Sequence, residues 1–243
     1  MADGEISQGT LLGGRVAYRQ YQHGHRSGFE PVLMAALVAA RATDHVLEAG
    51  TGAGAALLCL ATRVKGVKAI GLERETAMAQ LAARNFADNG FTALHAVQGD
   101  ASRLPFAAQT FHHVMANPPW FGAHNTASPD SLRALAHHAP PATLCLWIAE
   151  LLRVLRARGS ITLALPAFAY AEALSCLRPQ CGGLTLLPLW PRAGQNAKII
   201  LIQAHKASHA PDSVCAGLVL HDETGLSAPA QAILREGQAL LVK

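Results

Sequence analysis

Short apolar runs alternate along the chain with longer segments in which apolar residues recur every third or fourth position. The short runs predict buried β-strands and the longer segments predict amphipathic helices. The strands are apolar on both faces, which is typical of a parallel sheet covered by helices on both sides. The predicted strands cover residues 45–50, 68–73, 93–100, 111–117, 160–166, 183–190 and 197–204, and the predicted helices cover residues 54–66, 74–90 and 144–159.

The chain of 243 residues is 51% hydrophobic, which is enough for one α/β domain with a full core. We divide it into a leader segment (1–42), a catalytic core (43–205) and a C-terminal extension (206–243). No helix precedes the strand at 197–204, so an antiparallel pair is expected at that edge of the sheet. We see neither a signal peptide nor an apolar run long enough to span a bilayer, which predicts a cytoplasmic protein.

The formal net charge of +4 and the pI near 9.0 are mildly basic. Fifteen of the 20 basic residues are arginine, which suits phosphate contacts but is also typical of a GC-rich genome. The charge therefore permits a nucleic-acid partner without requiring one. The odd number of cysteines and the lack of a CxxC pair predict reduced structural thiols and no metal site. The five are Cys59, Cys145, Cys176, Cys181 and Cys215.

Glycines and an acidic residue lie where the first predicted strand ends. The sequence EAGTGAG places Gly50, Gly52 and Gly54 at alternate positions after Glu48. Glycines at such a turn let a ligand approach the backbone N–H groups that begin the next helix. The carboxylate of Glu48 would repel a pyrophosphate and favour a cationic amino group.

Carboxylates also end the next two predicted strands. Glu73 is placed to accept both hydroxyl groups of a ribose. Asp100 is placed to accept from an adenine amino group, with the Ala101 N–H beside it for a ring nitrogen. A ligand that carries a cation, a ribose and an adenine is S-adenosylmethionine.

The fourth strand end carries the sequence NPPW, which is Asn117, Pro118, Pro119 and Trp120. The Asn117 side-chain oxygen and the Pro118 carbonyl would accept the two hydrogens of an amine and turn its lone pair towards a methyl donor. The prolines stiffen the turn, and Trp120 offers a flat surface on which an acceptor base can stack. We therefore assign the catalytic role to these four residues.

The motif series VLEAGTGAG, GLERE, QGDA and NPPW resembles that of class I S-adenosylmethionine-dependent methyltransferases over residues 10–205. The resemblance implies a Rossmann-like fold whose seven strands have the order 3-2-1-4-5-7-6, with strand 7 antiparallel. It implies S-adenosylmethionine as the cofactor. The residues it assigns to cofactor binding are Glu48, Gly50, Thr51, Gly52, Gly54, Glu73, Arg74, Asp100, Ala101 and Asn117, with Arg26 and Gly28 of the leader.

Two flanking segments resemble the bacterial valine-tRNA adenine-N6 methyltransferases. In residues 11–40 the family pattern is kept at Gln22, Arg26, Gly28 and Glu30, while His25 replaces a tyrosine. This segment is expected to fold over the methionine end of the cofactor. In residues 187–206, Arg192 and Lys198 are expected near the RNA backbone or as solvated surface charges. The region after NPPW keeps Arg133, Ala136 and His137 but has His138 where the family has glutamate.

The leading prediction is an enzyme that methylates adenine N6 in tRNA, without a metal and without a membrane. The alternatives are N5-methylation of a glutamine in release factors, N2-methylation of guanine in rRNA, and a non-catalytic module that keeps the fold. The short leader argues against the release-factor enzymes, which carry a larger amino-terminal domain. The retained Asn117 and glycines argue against a non-catalytic module. The oligomeric state stays open between a monomer and a homodimer.

Overall fold

A computed structural model describes residues 5–22, 28–119 and 143–241. In these ranges a nine-stranded sheet is flanked by helices, and a separate two-stranded hairpin precedes it. The hairpin consists of β1 (Ile6–Leu11) and β2 (Val16–Tyr21). The sheet strands are β3 (His45–Ala49), β4 (Lys68–Glu73), β5 (Leu94–Gln98), β6 (Phe111–Ala116), β7 (Leu155–Pro166), β8 (Cys181–Arg192), β9 (Ile199–Lys206), β10 (Ser213–Val214) and β11 (Leu218–His221). The helices are α1 (Glu30–Leu37), α2 (Ala55–Arg63), α3 (Thr76–Asp88), α4 (Thr143–Val154), α5 (Tyr170–Leu177) and α6 (Ala228–Leu234).

The seven predicted strands follow one another across the sheet in the order β5-β4-β3-β6-β7-β9-β8. Strands β3 to β7 pair in parallel, and β9 is antiparallel to both neighbours. The predicted order 3-2-1-4-5-7-6 and the antiparallel edge are therefore confirmed. The sheet is nonetheless larger than predicted, because β10 and β11 both pair in parallel with the outer side of β8. These two short strands cover an edge that would otherwise present unpaired backbone groups.

Helices cover both faces of the sheet and create two apolar clusters. One cluster contains Leu33 of α1 and Leu58 of α2, and the other contains Ile148 and Leu151 of α4. Because both faces are buried, the sheet itself offers a ligand only its edges. In the described part of the chain, every helix falls short of the length and apolarity needed to span a bilayer.

Two sequence-based expectations are corrected. The helix predicted to Gly159 ends at Val154, because Leu155 pairs with Phe111 and residues 155–166 form β7. The cysteines were all expected as free thiols, but Cys145 of α4 and Cys176 of α5 form a disulfide with their Cα atoms 5.5 Å apart. A pairing between residues distant in sequence cannot be read from the number and spacing of cysteines.

Candidate active site

The carboxyl ends of four parallel strands bring the predicted site residues to one edge of the sheet. Glu48 lies on β3 opposite Gly71 of β4 and Met115 of β6, so the ends of these strands are level. Glu73 is the last residue of β4, and its carbonyl oxygen accepts the Gly99 N–H at 2.9 Å. Asp100 lies two residues beyond the end of β5.

The glycine-rich turn is fastened to the end of the neighbouring strand. The N–H groups of Gly50 and Thr51 donate to the Leu72 carbonyl at 2.8 and 3.0 Å. The Gly52 N–H donates to Oε2 of Glu73 at 2.9 Å. The turn needs left-handed backbone at Gly50 and Gly52, where φ is +72° and +55°. The glycines thus hold a tight turn whose backbone passes close to the Glu73 carboxylate.

Both carboxylate oxygens of Glu73 are oriented by the backbone. Oε2 accepts from the Gly52 N–H, and Oε1 accepts from the Glu75 N–H at 3.0 Å. Each carboxylate oxygen can accept more than one hydrogen bond, so both keep capacity for a ligand hydroxyl. The two N–H groups therefore fix the orientation of the carboxylate that would accept the ligand hydroxyl.

Glu48 is a buried carboxyl, with 3% of its surface exposed. The Thr51 hydroxyl donates to its Oε2 at 2.6 Å. Burial raises the pKa of Glu48 to about 8, and the nearby charge of Glu73 adds to the rise, whereas the Thr51 hydrogen bond opposes it. Among the described residues no basic side chain forms an ion pair with Glu48. A buried acid of this kind gains most from a ligand that carries a positive charge.

The raised pKa of Glu48 predicts opposite pH dependences for the free protein and for cofactor binding. The folded free protein favours the protonated acid, so the stability that the Glu48 carboxyl contributes is fully present below pH 4.5 and is lost as the pH rises through about 8. An ammonium ligand instead favours the ionised acid. Affinity for S-adenosylmethionine should therefore rise about tenfold per pH unit from 6 towards 8, and fall above 8 as the ligand amine loses its proton. Calorimetric titration and thermal unfolding across this range measure both trends, and Glu48→Gln should flatten the rise. Equal slopes in parent and variant would contradict this role.

Asp100 is ionised more readily than an ordinary aspartate. Its Oδ1 accepts from the N–H and the hydroxyl of Ser102, at 2.8 and 2.7 Å, and these bonds lower its pKa. The positive charge of Arg74 lowers the pKa further. Arg74 itself donates from Nε to Glu75 at 3.3 Å and remains largely exposed, while Ala101 is buried.

Asn117 follows β6 directly, next to the glycine-rich turn. The preceding Ala116 pairs with Ala49 of β3 on one side and with Leu163 of β7 on the other. Asn117 is half-buried and Pro118 is buried. Within residues 5–22, 28–119 and 143–241, the Asn117 side chain forms no hydrogen bond. Trp120, Arg26, Arg133, Ala136, His137 and His138 lie outside the described residues, whereas Gly28 lies inside them, with the Glu30 carboxylate packed against it.

Two residues near the site were not singled out from the sequence. A Cβ placed on Gly50 would lie 3.1 Å from Cη2 of Trp147, so this indole of α4 packs on the glycine-rich turn. Nδ2 of Asn85 donates to the carbonyls of Arg19 in the leader hairpin and Ala53 in the turn, at 2.9 Å each. In sequence Trp147 resembles any core residue of its helix. Asn85, a polar residue on the apolar face of a predicted helix, was a detectable signal.

Gly54, assigned to cofactor binding, also has a packing role. Its φ is +87°, and an added Cβ would lie 2.5 Å from the Phe86 ring. Gly54→Ala should lower the free energy of unfolding by about 2–4 kcal/mol, because backbone strain and overpacking add. The matched control is Gly90→Ala, where φ is +71° but nothing lies within 4 Å, so only the strain of about 1 kcal/mol applies. Denaturant unfolding compares the two, and equal losses would contradict the packing role.

Comparison with known proteins decides the class of enzyme. Residues 46–159 match the family model described as a methyltransferase domain. The chain is an S-adenosylmethionine-dependent methyltransferase. This methyltransferase is 28% identical to the tRNA1(Val) (adenine(37)-N6)-methyltransferase of Aeromonas salmonicida, over 72% of this chain and 74% of the relative. It is 27% identical to the protein of that name from Actinobacillus succinogenes, over 81% of this chain and 82% of the relative.

The methyltransferase fold is also found in solved structures. A predicted O-methyltransferase from Agrobacterium tumefaciens superposes with a TM-score of 0.73 and 23% identity, over 88% of this chain and 99% of that one. At this identity the likeness concerns the fold and not the acceptor.

Proposed function

We propose that this enzyme transfers a methyl group from S-adenosylmethionine to the N6 amine of an adenine in tRNA. The observation that carries the proposal is the position of Asn117 and Pro118, immediately after β6 and beside the glycine-rich turn. The relatives from Aeromonas and Actinobacillus, named for tRNA adenine methylation, support adenine over glutamine or guanine as the acceptor. A tRNA acceptor supports a cytoplasmic site of action, with no need for a membrane or a metal.

The donor set at the strand ends fits S-adenosylmethionine and does not fit a pyrophosphate-bearing nucleotide. Glu48 is buried and forms no ion pair with another described residue, and Glu73 and Asp100 add carboxylates at the next two strand ends. We assign the amino group to Glu48, the ribose hydroxyls to Glu73, and the adenine to Asp100 and Ala101. Gly50, Thr51, Gly52 and Gly54 shape the turn beneath the ligand, and Arg26, Gly28 and Arg74 are assigned to its borders.

The chemical role of the acceptor residues is positioning. The cofactor supplies a methyl group on a positively charged sulfur, so no protein nucleophile is needed. The amine of adenine is a poor nucleophile because its lone pair is delocalised into the ring. Asn117 Oδ1 and the Pro118 carbonyl would accept its two hydrogens and direct the lone pair at the methyl group. Pro119 stiffens this turn, and Trp120 is assigned to stacking on the base.

The proposal is tested by the nucleosides of tRNA in a strain that lacks the gene. N6-methyladenosine in digested tRNA should disappear and return when the parent gene, but not its Asn117→Ala variant, is supplied. Mass spectrometry of the nucleosides and of release-factor peptides detects both candidate products, N6-methyladenosine and methylated glutamine. Unchanged N6-methyladenosine with loss of glutamine methylation in a release factor would overturn the tRNA proposal.

A further inference from the structure

Exposed aromatic side chains are concentrated at one side of the carboxyl edge. Within the described residues, the Phe, Tyr and Trp side chains that are classed as exposed are Phe29, Phe168 and Tyr170, at 40%, 67% and 46%. Among the exposed aliphatic residues, Val214 lies on β10, away from this edge, and Leu146 lies in the first turn of α4. Scattered single apolar residues are ordinary on a protein surface, but a set of aromatic ones on the edge that holds the acceptor residues is not.

Strand register places Phe168 and Tyr170 just beyond Asn117. Ala116 of β6 is paired with Leu163 of β7, which continues in strand conformation to Pro166. Asn117 is therefore level with residue 164 of β7, and Phe168 follows the end of that strand by two residues, in the single 3-10 turn formed by Ala167–Ala169. Tyr170 begins α5 directly after this point.

Two cations extend the same edge across the next strands. The Ala167 N–H donates to the Lys198 carbonyl at 2.8 Å, which places Lys198 beside the residue that precedes Phe168. Arg192 ends β8 and is paired with His221 of β11. The Phe29 ring lies 6.0 Å from the His221 ring, so the start of α1 lies beside the end of β11. We call this set the aromatic rim, and its members are Phe29, Phe168, Tyr170, Arg192, Lys198 and His221.

The rim is too wide for the target base alone. From β6 to β11 it crosses four strand spacings, about 19 Å. Its charge is not strongly positive either, because Glu30, Glu172 and Asp222 accompany Arg192 and Lys198. Attraction between the rim and phosphates is therefore modest. The feature that remains is a series of flat aromatic faces, on which unpaired bases can stack.

We propose that the aromatic rim binds unpaired nucleotides next to the target adenine by stacking. The inference rests on the proposed function, since it requires an RNA acceptor at Asn117. It assigns the enzyme a preference for an adenine in a single-stranded loop over one within a helix, because paired bases do not present their faces.

The experiment measures binding of a fluorescent anticodon stem–loop and its methylation by the full chain. Tyr170→Ala and Phe168→Ala should each weaken stem–loop binding about tenfold, while Tyr170→Phe should stay within about twofold of the parent. The matched control is Val214→Ala, an exposed apolar residue outside the rim, which should leave binding unchanged. All variants should keep the parent's affinity for S-adenosylmethionine, because the rim is assigned to RNA and not to the cofactor.

Binding measured at low and high salt distinguishes base stacking from electrostatic contacts with phosphates. The loss in Tyr170→Ala should be the same at low and high salt, whereas the loss in Arg192→Ala should shrink as salt increases. If the parent methylates the stem–loop but the rim variants bind it as tightly as Val214→Ala does, the role of the rim in binding is wrong. The proposed function would then remain intact. A parent that neither binds nor methylates the stem–loop would overturn both.

Discussion

An Asn117→Ala enzyme is expected to turn over about 10²–10³ times more slowly than the parent. This is the loss seen when one well-placed hydrogen-bonding partner of a transition state is removed. Because the Asn117 carboxamide forms no hydrogen bond with another described residue, its removal should not disturb the fold around the end of β6. Single-turnover rates at saturating S-adenosylmethionine measure the loss, and cofactor affinity should stay within about twofold.

The matched control for Asn117 is Gln180→Ala, which removes an exposed amide at the opposite edge of the sheet, just before β8. It should leave both turnover and cofactor affinity unchanged. An Asn117→Ala protein that loses cofactor affinity in proportion to its rate would contradict the role. Asn117 would then shape the cofactor pocket rather than orient the acceptor amine.

A Glu73→Ala enzyme is expected to bind S-adenosylmethionine at least about 10²-fold more weakly. Hydrogen bonds to a charged group contribute about 1.5–3 kcal/mol each, and two ribose hydroxyls are assigned to this carboxylate. The substitution also removes the acceptor for the Gly52 N–H, which lies 2.9 Å from Glu73 Oε2. The effect should fall on cofactor affinity, with the rate at saturating cofactor within about threefold of the parent. Calorimetric titration and steady-state kinetics measure the two quantities.

Glu75→Ala provides the matched control for Glu73. Glu75 is an exposed acid two positions away whose backbone N–H, but not its side chain, contacts the Glu73 carboxylate. Its removal should change cofactor affinity by less than about twofold. Similar affinities for the two alanine variants would exclude Glu73 as the ribose acceptor.

The arrangement of the core strands was predictable because their sequences are buried on both faces. The runs that became β3, β4 and β6 are mainly apolar, and a glycine, an acid or a proline lies at or just after the end of each. The end of the helix predicted over residues 74–90 was equally local: Gly90 adopts φ +71°, and the Phe91 N–H donates to the Phe86 carbonyl at 3.0 Å. Signals confined to a few residues were sufficient in these places.

The boundary between α4 and β7 was not predictable from local sequence. Residues 155–159 continue the helical pattern, and only pairing with β6 makes them a strand. Arg158, with φ +62°, lies where the register of β7 against β6 shifts. The short strands β10 and β11 also depend on the edge that β8 provides. Such contacts join residues far apart in sequence and leave no periodic signal.

The site was predictable to the extent that its residues end strands. Glu48, Glu73 and Asn117 were found in this way, since parallel strands bring their carboxyl ends to one edge. Two contacts could be identified only from the three-dimensional structure. They are the packing of Trp147 on Gly50 and the hydrogen bond from Asn85 to Ala53.

The proposed acceptor is the exocyclic amine of an adenine in tRNA. The most direct measurement incubates the purified full chain with S-adenosylmethionine and unmodified valine tRNA, followed by nuclease digestion and mass spectrometry. N6-methyladenosine is expected from the parent, and about 10²–10³-fold less of it from Asn117→Ala in the same time. N2-methylguanosine as the product, or methylation only of a glutamine in a release factor added to the same reaction, would contradict it.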